Sequence, residues 1–535
     1  MAHALAGKPV QEQDIIDVQT IVDAYFDNVP DMTNPTQLVS FGTSGHRGTS
    51  VDGTFTDLHV AAITQAICDG RKQFGATGPI FVGQDTHALS QPALVTVLEV
   101  LAGNGVTAMV DCDMAFVPTP SVSRAIIRYN EEHDDKADGI IITPSHNPPD
   151  NGGIKYNTII GGPADTVVTK WIEMRANEYL TAYCESEDFK RISIDNIEPS
   201  AQVPYDYKGL YVEELGDVIN MEAIKAAGPK VLVDTLGGSG ASYWNAIKER
   251  YGLDLTIIHD DYDPTFSFMT YDHDGKVRMD CSSTYVMASV INRIGDFDLE
   301  VGNDPDYDRY GIVVSSGLIS ANTFLTLAAR YLFTTRGWKN KGVGKTVVCT
   351  TMIDKWAADA EIPVYEVPVG FKYFSQLLFD GAIGIGGEES AGASFLKKDG
   401  TVWTTDKDGM IMALLSMEIM AVMGKSALKM ADEFVEEFGN PSFGRIDAPC
   451  KKEQKQILKQ MSAELITATT VDGDPITNIR TTSLYNDMPI DGVRVETDKG
   501  WFVARPSGTE DLYKIYGESY KGDLGLVALL TAGEE

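Results

Sequence analysis

Thr143-Pro144-Ser145-His146-Asn147-Pro148-Pro149-Asp150-Asn151-Gly152-Gly153-Ile154-Lys155-Tyr156-Asn157 sets a serine in a stretch that cannot become a helix. Pro144, Pro148 and Pro149 remove amide donors and push the residues before them toward extended geometry. Asn151, Gly152 and Gly153 have the composition of a turn. The segment reads as a stiff loop presenting one hydroxyl. A serine hydroxyl is a weak nucleophile that needs a base, a cation or a metal, and His146 and Lys155 lie close to it in the chain. Taken alone, Ser-His-Asn is more often just a plain surface turn.

The chain around this loop alternates strand and helix. Residues 79–82, 106–110 and 139–142 are short apolar runs, and 93–101 carries apolar positions at helical spacing. That rhythm predicts βαβ units in a parallel or mixed sheet covered by helices. Residues 196–204, polar and punctuated by Pro199 and Pro204, read as a linker. A second unit opens with a strand at 230–233 and returns to one at 298–301. A third starts near 323 with a helix, has strands at 345–349 and 382–385, and ends in a Met-rich helix over 408–423 that reads as core. The remainder, from about 441, predicts a helix near 453–463 and strands near 493–496, 501–504 and 513–516, a smaller α+β unit. At 535 residues, three or four domains of roughly 150 residues are expected. No internal repeat is visible in the residues.

Composition narrows the function. With 43% apolar and 23% charged residues the chain is of soluble globular type. It has no run of 18 apolar residues, and residues 1–14 lack a signal-like apolar core, so a cytoplasmic location and no membrane contact are expected. Cysteines 68, 112, 184, 281, 349 and 450 show no metal-like spacing and read as reduced thiols. The formal charge of −33 argues against a nucleic-acid partner. It also means that any site for a phosphate must gather Arg and Lys locally against a repulsive background. The residues carry no signal for oligomeric state.

Asp304, Asp306 and Asp308 alternate with Pro305 and Tyr307 directly after a strand. In a non-helical backbone the three carboxylates can converge on one cation, and an all-oxygen set suits Mg²⁺ or Ca²⁺ rather than zinc. An EF-hand is excluded, because loop position 6 is Arg309 instead of glycine and position 12 is Ser315 instead of glutamate. Arg505-Pro506-Ser507-Gly508-Thr509 combines a guanidinium with two hydroxyls and a glycine that lets amides approach an anion, the makings of a phosphate cradle. Gly342-Val343-Gly344-Lys345-Thr346 looks like a P-loop ending, but the required first glycine falls at Lys339 and the segment is expected to lead into a strand.

Five segments occur in one order: Phe41-Gly42-Thr43-Ser44-Gly45-His46-Arg47-Gly48, the Ser145 loop, Gly302-Asn303-Asp304-Pro305-Asp306-Tyr307-Asp308-Arg309, Gly386-Gly387-Glu388-Glu389-Ser390-Ala391-Gly392, and Arg505 to Glu510. Together they resemble the signature motifs of the α-D-phosphohexomutases, over residues 38–520, closest to the bacterial glucose-specific branch. The resemblance implies an α/β fold: three similar mixed α/β domains and a smaller C-terminal α+β domain around a central active-site cleft. The expected divisions are 1–204 with the serine loop, 205–322 with the metal loop, 323–440 with the sugar loop and 441–535 with the phosphate loop. The tail after Tyr520 is shorter than the family's usual closing helix.

The resemblance also implies roles. Ser145 carries a phosphoryl group whose oxygen joins Asp304, Asp306 and Asp308 around Mg²⁺. Arg47 lies near the transferring group, and His146 and Lys155 exchange protons with the sugar hydroxyl. Glu388 and Ser390 grip sugar hydroxyls, and Glu389 marks the glucose type. Lys407 reaches the substrate, with Lys398 as its rival. Lys372 and Arg309 contribute to substrate binding, as do Arg505, Ser507, Gly508 and Thr509 at the distal phosphate. The implied reaction interconverts glucose 1-phosphate and glucose 6-phosphate, with glucose 1,6-bisphosphate as intermediate and activator. The partners are small hexose phosphates. Rival readings are a phosphomannomutase or dual-specificity enzyme, a non-catalytic sugar-phosphate-binding paralogue, and a serine-dependent phosphatase.

Overall fold

The structure, a computed structural model, describes residues 2–42, 44–184, 189–450, 454, 457–458, 461–506 and 512–534. Four sheets follow one another along the chain. In the first, Asp138–Ile142, Ile80–Gln84, Ala108–Asp111 and Gln202–Tyr205 run parallel, and Asn151–Asn157 and then His46–Thr49 add antiparallel at one side. The second has Leu299–Asn303, Val231–Asp234 and Leu255–Ile258 parallel, with Tyr310–Val314 antiparallel. The third has Val364–Val367, Gly342–Thr346 and Ile383–Gly387 parallel, with Ala393–Phe395 antiparallel. The fourth is antiparallel throughout.

The first three sheets therefore share one plan. In each, a parallel strand ends in a loop that doubles back as an antiparallel strand, and these loops are 143–150, 304–309 and 388–392. Each holds one non-glycine residue in the left-handed region: Ser145 at φ 60°, Tyr307 at 62° and Ala391 at 66°. All three sit at the carboxyl ends of parallel strands, where open α/β sheets place their ligands.

The Met-rich segment is the helix Gly409–Met423. Asp408 caps it by accepting from the Ile411 amide, and Gly424 ends it at φ 62°. Apolar on every side, it must be enclosed, and Met410, Met412 and Met417 are wholly buried. It runs through a single apolar core shared by the second and third sheets, so the chain division near 322 does not divide the packing. Among the described residues no single helix is long and apolar enough to cross a membrane.

Several local expectations are corrected. Gly152 and Gly153 are not in a turn but in the strand Asn151–Asn157. A Cβ on Gly153 would lie 2.2 Å from the Thr143 carbonyl oxygen, so glycine is there for close approach of strand and serine loop. Arg47 lies in the edge strand His46–Thr49 beside it. The supposed linker contains the strand Gln202–Tyr205, which completes the first sheet because Ala108–Asp111 leaves an open edge beside it. The strand expected at 345–349 is Gly342–Thr346, and Val347 and Val348 leave it to plug into the fourth sheet against Trp501, Val503 and Tyr516. The P-loop look-alike is therefore itself a strand.

Residues 3–10 join the second unit rather than the first. Val10 donates to Met269 and Gly7 to Tyr271, at 3.0 and 2.8 Å, while Leu5 and Val10 pack on that unit's core. The C-terminal tail forms the helix Gly522–Glu534, burying Leu529 and Leu530 against the fourth sheet. The helix expected at 453–463 falls mostly outside the described residues. The fourth unit is fixed to the third by Arg480 on both oxygens of Glu366, at 2.6 and 2.8 Å, and by Glu518, which accepts from the Thr351 amide and the Trp501 indole.

The first unit buries a stacked imidazole pair, His46 and His59, with ring centroids 5.3 Å apart. His59 accepts from the Thr56 amide as part of a helix-capping box and faces the Gln37 carbonyl with its other nitrogen, an arrangement that suits the neutral ring. Burial lowers His46 to about 4 and His59 to about 3, His59 being lowered further by His46. Both folded values lie below the unfolded one, so the unfolded chain takes up protons first. The stabilisation is complete above the unfolded value of 6.5 and lost as pH falls toward 4. His46 alone accounts for about 3 kcal/mol. The thermal midpoint should drop across that window, and less steeply in His59→Gln, whose amide can make the same two bonds without titrating. An equally steep drop in that variant would refute the assignment.

Candidate active site

The three loops converge. Ser145, fully buried, donates from Oγ to Asp304 Oδ2 at 3.0 Å, with His146 Nδ1 3.3 Å from the same oxygen. Asp304, Asp306 and Asp308 are buried, with carboxylate oxygens all within 4.8 Å of one another. The third loop is tied to the second by a bridge between Arg309 and Gly392 and by the Tyr310 amide donating to Ala391.

Such a carboxylate cluster requires counter-charge, and the other units bring it. Lys155 Nζ lies 2.6 Å from Asp306 and 3.2 Å from Asp308, and Lys407 Nζ lies 2.8 Å from Asp308. Lys407 gets there because Gly409 lets its chain pass the metal loop: a Cβ on Gly409 would meet the Arg309 carbonyl oxygen at 2.0 Å. The rival Lys398 reaches the Ile219 carbonyl instead. Thr119, at the start of a helix in the first unit, donates its hydroxyl to Asp306 Oδ2 at 2.8 Å and its amide to the Asp306 carbonyl at 3.0 Å. Asp406 accepts from Asn157 at 2.9 Å, binding the Lys407 loop to the serine unit.

The electrostatics divide the triad. Burial and the two neighbouring carboxylates push Asp304 well above the ordinary carboxylate range. Burial also opposes ionisation of Asp308, but Lys407 and Lys155 outweigh it and hold that group far below. His146 is pushed well below its usual value by burial and then by Arg309. Asp306 Oδ1 and Asp308 Oδ1 are buried without a hydrogen-bond partner. Orphaned hard oxygens in a compact cluster fit a small divalent cation.

Arg309 Nη1 stands 3.7 Å from Asp280, and its Nε, 3.7 Å from Asp308, has no hydrogen bond. Arg47 reaches Ser44 Oγ at 3.2 Å and Asn147 Oδ1 at 3.5 Å, facing the loop that carries Ser145. Glu388 lies beside Lys407, and burial raises it to about 7 against the pull of that lysine. Ser390 is half-buried. Glu389 accepts from Thr346 Oγ1 at 3.2 Å.

Lys372 and Arg505 form a second cationic locus. Lys372 donates to Thr166 Oγ1 at 2.8 Å, burial and then the nearby Arg505 lower it below the ordinary lysine value against the pull of Asp165 and Asp491, and Arg505 Nε is buried without a partner. Ser507, Gly508 and Thr509 lie outside the described residues. Asp85, His87, Thr119, Asp280 and Asp406 were not picked out from the sequence. Only Asp85 and His87 carried a signal, standing together just after a buried strand, as Ser145 does.

Comparison with known proteins agrees with this geometry. The chain matches the phosphoglucomutase/phosphomannomutase family in four parts: alpha/beta/alpha domain I over residues 38–182, domain II over 210–317, domain III over 320–438 and the C-terminal domain over 447–524. It is 46% identical to the phosphoglucomutase of Komagataeibacter xylinus over 535 residues, covering 99% of this chain and 96% of that one. Among solved structures it resembles the open form of pp63/parafusin, a phosphoglucomutase-type phosphoprotein of Paramecium, with TM-score 0.71 and 19% identity over 95% of this chain and 94% of that one. It also resembles Aspergillus fumigatus N-acetylphosphoglucosamine mutase in complex with GlcNAc-6P and magnesium, with TM-score 0.53 and 15% identity over 96% and 98% of the two chains. The chain belongs to the phosphoglucomutase/phosphomannomutase family of α-D-phosphohexomutases.

Proposed function

We propose that this chain is a phosphoglucomutase that interconverts glucose 1-phosphate and glucose 6-phosphate through a phosphoserine at Ser145. The observation that carries the reading is the Ser145 hydroxyl 3.0 Å from Asp304 in a buried triad with two unpartnered oxygens. Asp304, Asp306 and Asp308 would hold Mg²⁺. When bound, it would neutralise charge on the transferring phosphoryl group.

Phosphorylated Ser145 gives its phosphoryl group to the free hydroxyl of the substrate, whose proton leaves to the protein, and glucose 1,6-bisphosphate results. That intermediate turns over within the cleft. Its other phosphoryl group passes to Ser145, and the oxygen it leaves regains a proton. His146, with Nδ1 3.3 Å from Ser145 Oγ, and Lys155, paired with Asp306 and Asp308, are the groups for this proton exchange. Arg47 and Arg309 steady the phosphoryl group at Ser145. Glu388, Ser390 and Lys407 hold the sugar hydroxyls. Lys372 and Arg505, with Ser507, Gly508 and Thr509, receive the phosphate that is not reacting. One reactive centre serves both ends of the sugar, so hydroxyl grip and distal cradle must accept two orientations. The four units, divided at 204, 322 and 440, each bring one loop to this cleft.

Ser145→Ala should abolish mutase turnover while the protein still folds, since the covalent step has no substitute. Turnover near that of wild type would eliminate the phosphoserine mechanism. Asp306→Asn removes one ligand charge and should raise the Mg²⁺ concentration for half-maximal rate at least tenfold. An unchanged Mg²⁺ titration would move the metal elsewhere. For specificity, kcat/KM should clearly favour glucose 1-phosphate over mannose 1-phosphate, each assayed with its own bisphosphate. Equal values would reassign the chain to a dual-specificity enzyme.

A further inference from the structure

Ser145 holds a left-handed backbone, φ 60°, which is strained for a residue with a Cβ and persists only where the surroundings over-determine it. The over-determination comes from behind the loop. The Ser145 amide donates to Thr143 Oγ1 at 2.8 Å, and that hydroxyl donates to Asp85 Oδ2 at 2.6 Å. Asp85 Oδ1 accepts from Ser90 Oγ at 2.5 Å and from the His87 amide at 3.0 Å. On the far side of the serine, His87 Nε2 lies 3.0 Å from the Asn147 carbonyl oxygen, while Nδ1 lies 2.8 Å from Asp85 Oδ2. A carbonyl and a carboxylate only accept, so both ring nitrogens donate and His87 is an imidazolium paired with Asp85.

Asp85 and His87 thus grip the serine loop at Thr143 and Asn147, two residues to either side of the reacting oxygen. Both are buried, to 0 and 1% exposure, so solvent does not compete for these bonds. Asn147 is also the residue that Arg47 touches, so the same grip sets a cation beside the serine. We infer that Asp85 and His87 are positioning residues that clamp the serine loop from behind and keep Ser145 Oγ aimed at Asp304. This rests on the phosphoserine reading above. Neither residue hydrogen-bonds to Asp304, Asp306 or Asp308; their side chains pair with Ser90, Thr143, Asn147 and each other, so the clamp acts on the geometry of transfer.

Breaking the clamp should lower kcat and spare KM. His87→Leu is expected to reduce kcat about 100-fold, the scale of loss for a displacement near 1 Å, with KM for glucose 1-phosphate within about threefold. The phosphoryl adduct of about 80 Da, formed on the protein from glucose 1,6-bisphosphate, should appear slower by the same factor. His87→Gln keeps one donor for the Asn147 carbonyl and should recover most of kcat. Asp85→Asn, nearly unchanged in shape, should lose at least tenfold in kcat, and it carries the test with His87→Gln if the leucine variant does not fold.

Full kcat in Asp85→Asn, a His87→Gln variant as slow as His87→Leu, or losses expressed in KM would overturn the clamp. Absence of the adduct on the wild-type protein would instead overturn the phosphoserine reading, and the clamp with it.

Discussion

Three carboxylates whose oxygens lie within 4.8 Å of one another, removed from water, repel each other strongly unless positive charge is brought to them. Much of the tertiary structure follows from that constraint. Lys155 comes from the first unit, Lys407 from the third, and Arg309 from the acidic loop itself. None lies on a neighbouring strand of the same sheet. The cluster can be buried only when the first three units have closed on it, which makes the site and the relative placement of the units one problem. The −33 charge of the chain sharpens the requirement, because every cation at the cleft is held against an acidic background.

The closure is polar at the centre and apolar behind. Thr119 with Asp306 and Asn157 with Asp406 stitch the serine unit to its neighbours through buried hydrogen bonds, which are costly to leave half-made. The second and third units share one apolar core, with the Gly409–Met423 helix running through it. The loops 304–309 and 388–392 therefore rise from one shared core and are tied to each other by the Arg309–Gly392 bridge. The fourth unit is attached differently, by Val347 and Val348 plugged into its sheet and by the ion pair of Arg480 with Glu366. Arg505 of this unit sits at the end of a strand rather than in a hairpin of the shared plan.

That plan gives the left-handed residues a common meaning. Ser145, Tyr307 and Ala391 each turn a loop back on the parallel strand it has just left, so that functional groups stay at the sheet edge instead of running into a helix. Proline-rich chemistry makes the turn around Ser145, alternating aspartates make it around Tyr307, and small residues make it around Ala391. Three sequences without visible repetition thus arrive at one backbone device, which is why the repetition of the units appears in topology and not in the residues.

The sequence by itself determined the elements, the family and the chemical inventory. Periodicity located the strands at 80–84, 138–142, 231–234 and 299–303 to within a residue or two, because buried parallel strands are short apolar runs bounded by loop residues. The motif strings picked out Ser145, the three aspartates and Lys407, because their residue types carry their chemistry locally. Only the tertiary structure decided the rest. Gly152 and Gly153 look like a turn until the Thr143 carbonyl is seen 2.2 Å from a would-be Cβ, and residues 3–10 belong to the first unit by order but to the second by backbone pairing. Asp85, His87, Thr119 and Asp406 were not picked out, since each acts through a partner 58 or more residues away. A contact at that separation leaves no local pattern; it exists only once the chain has closed and water has left the site.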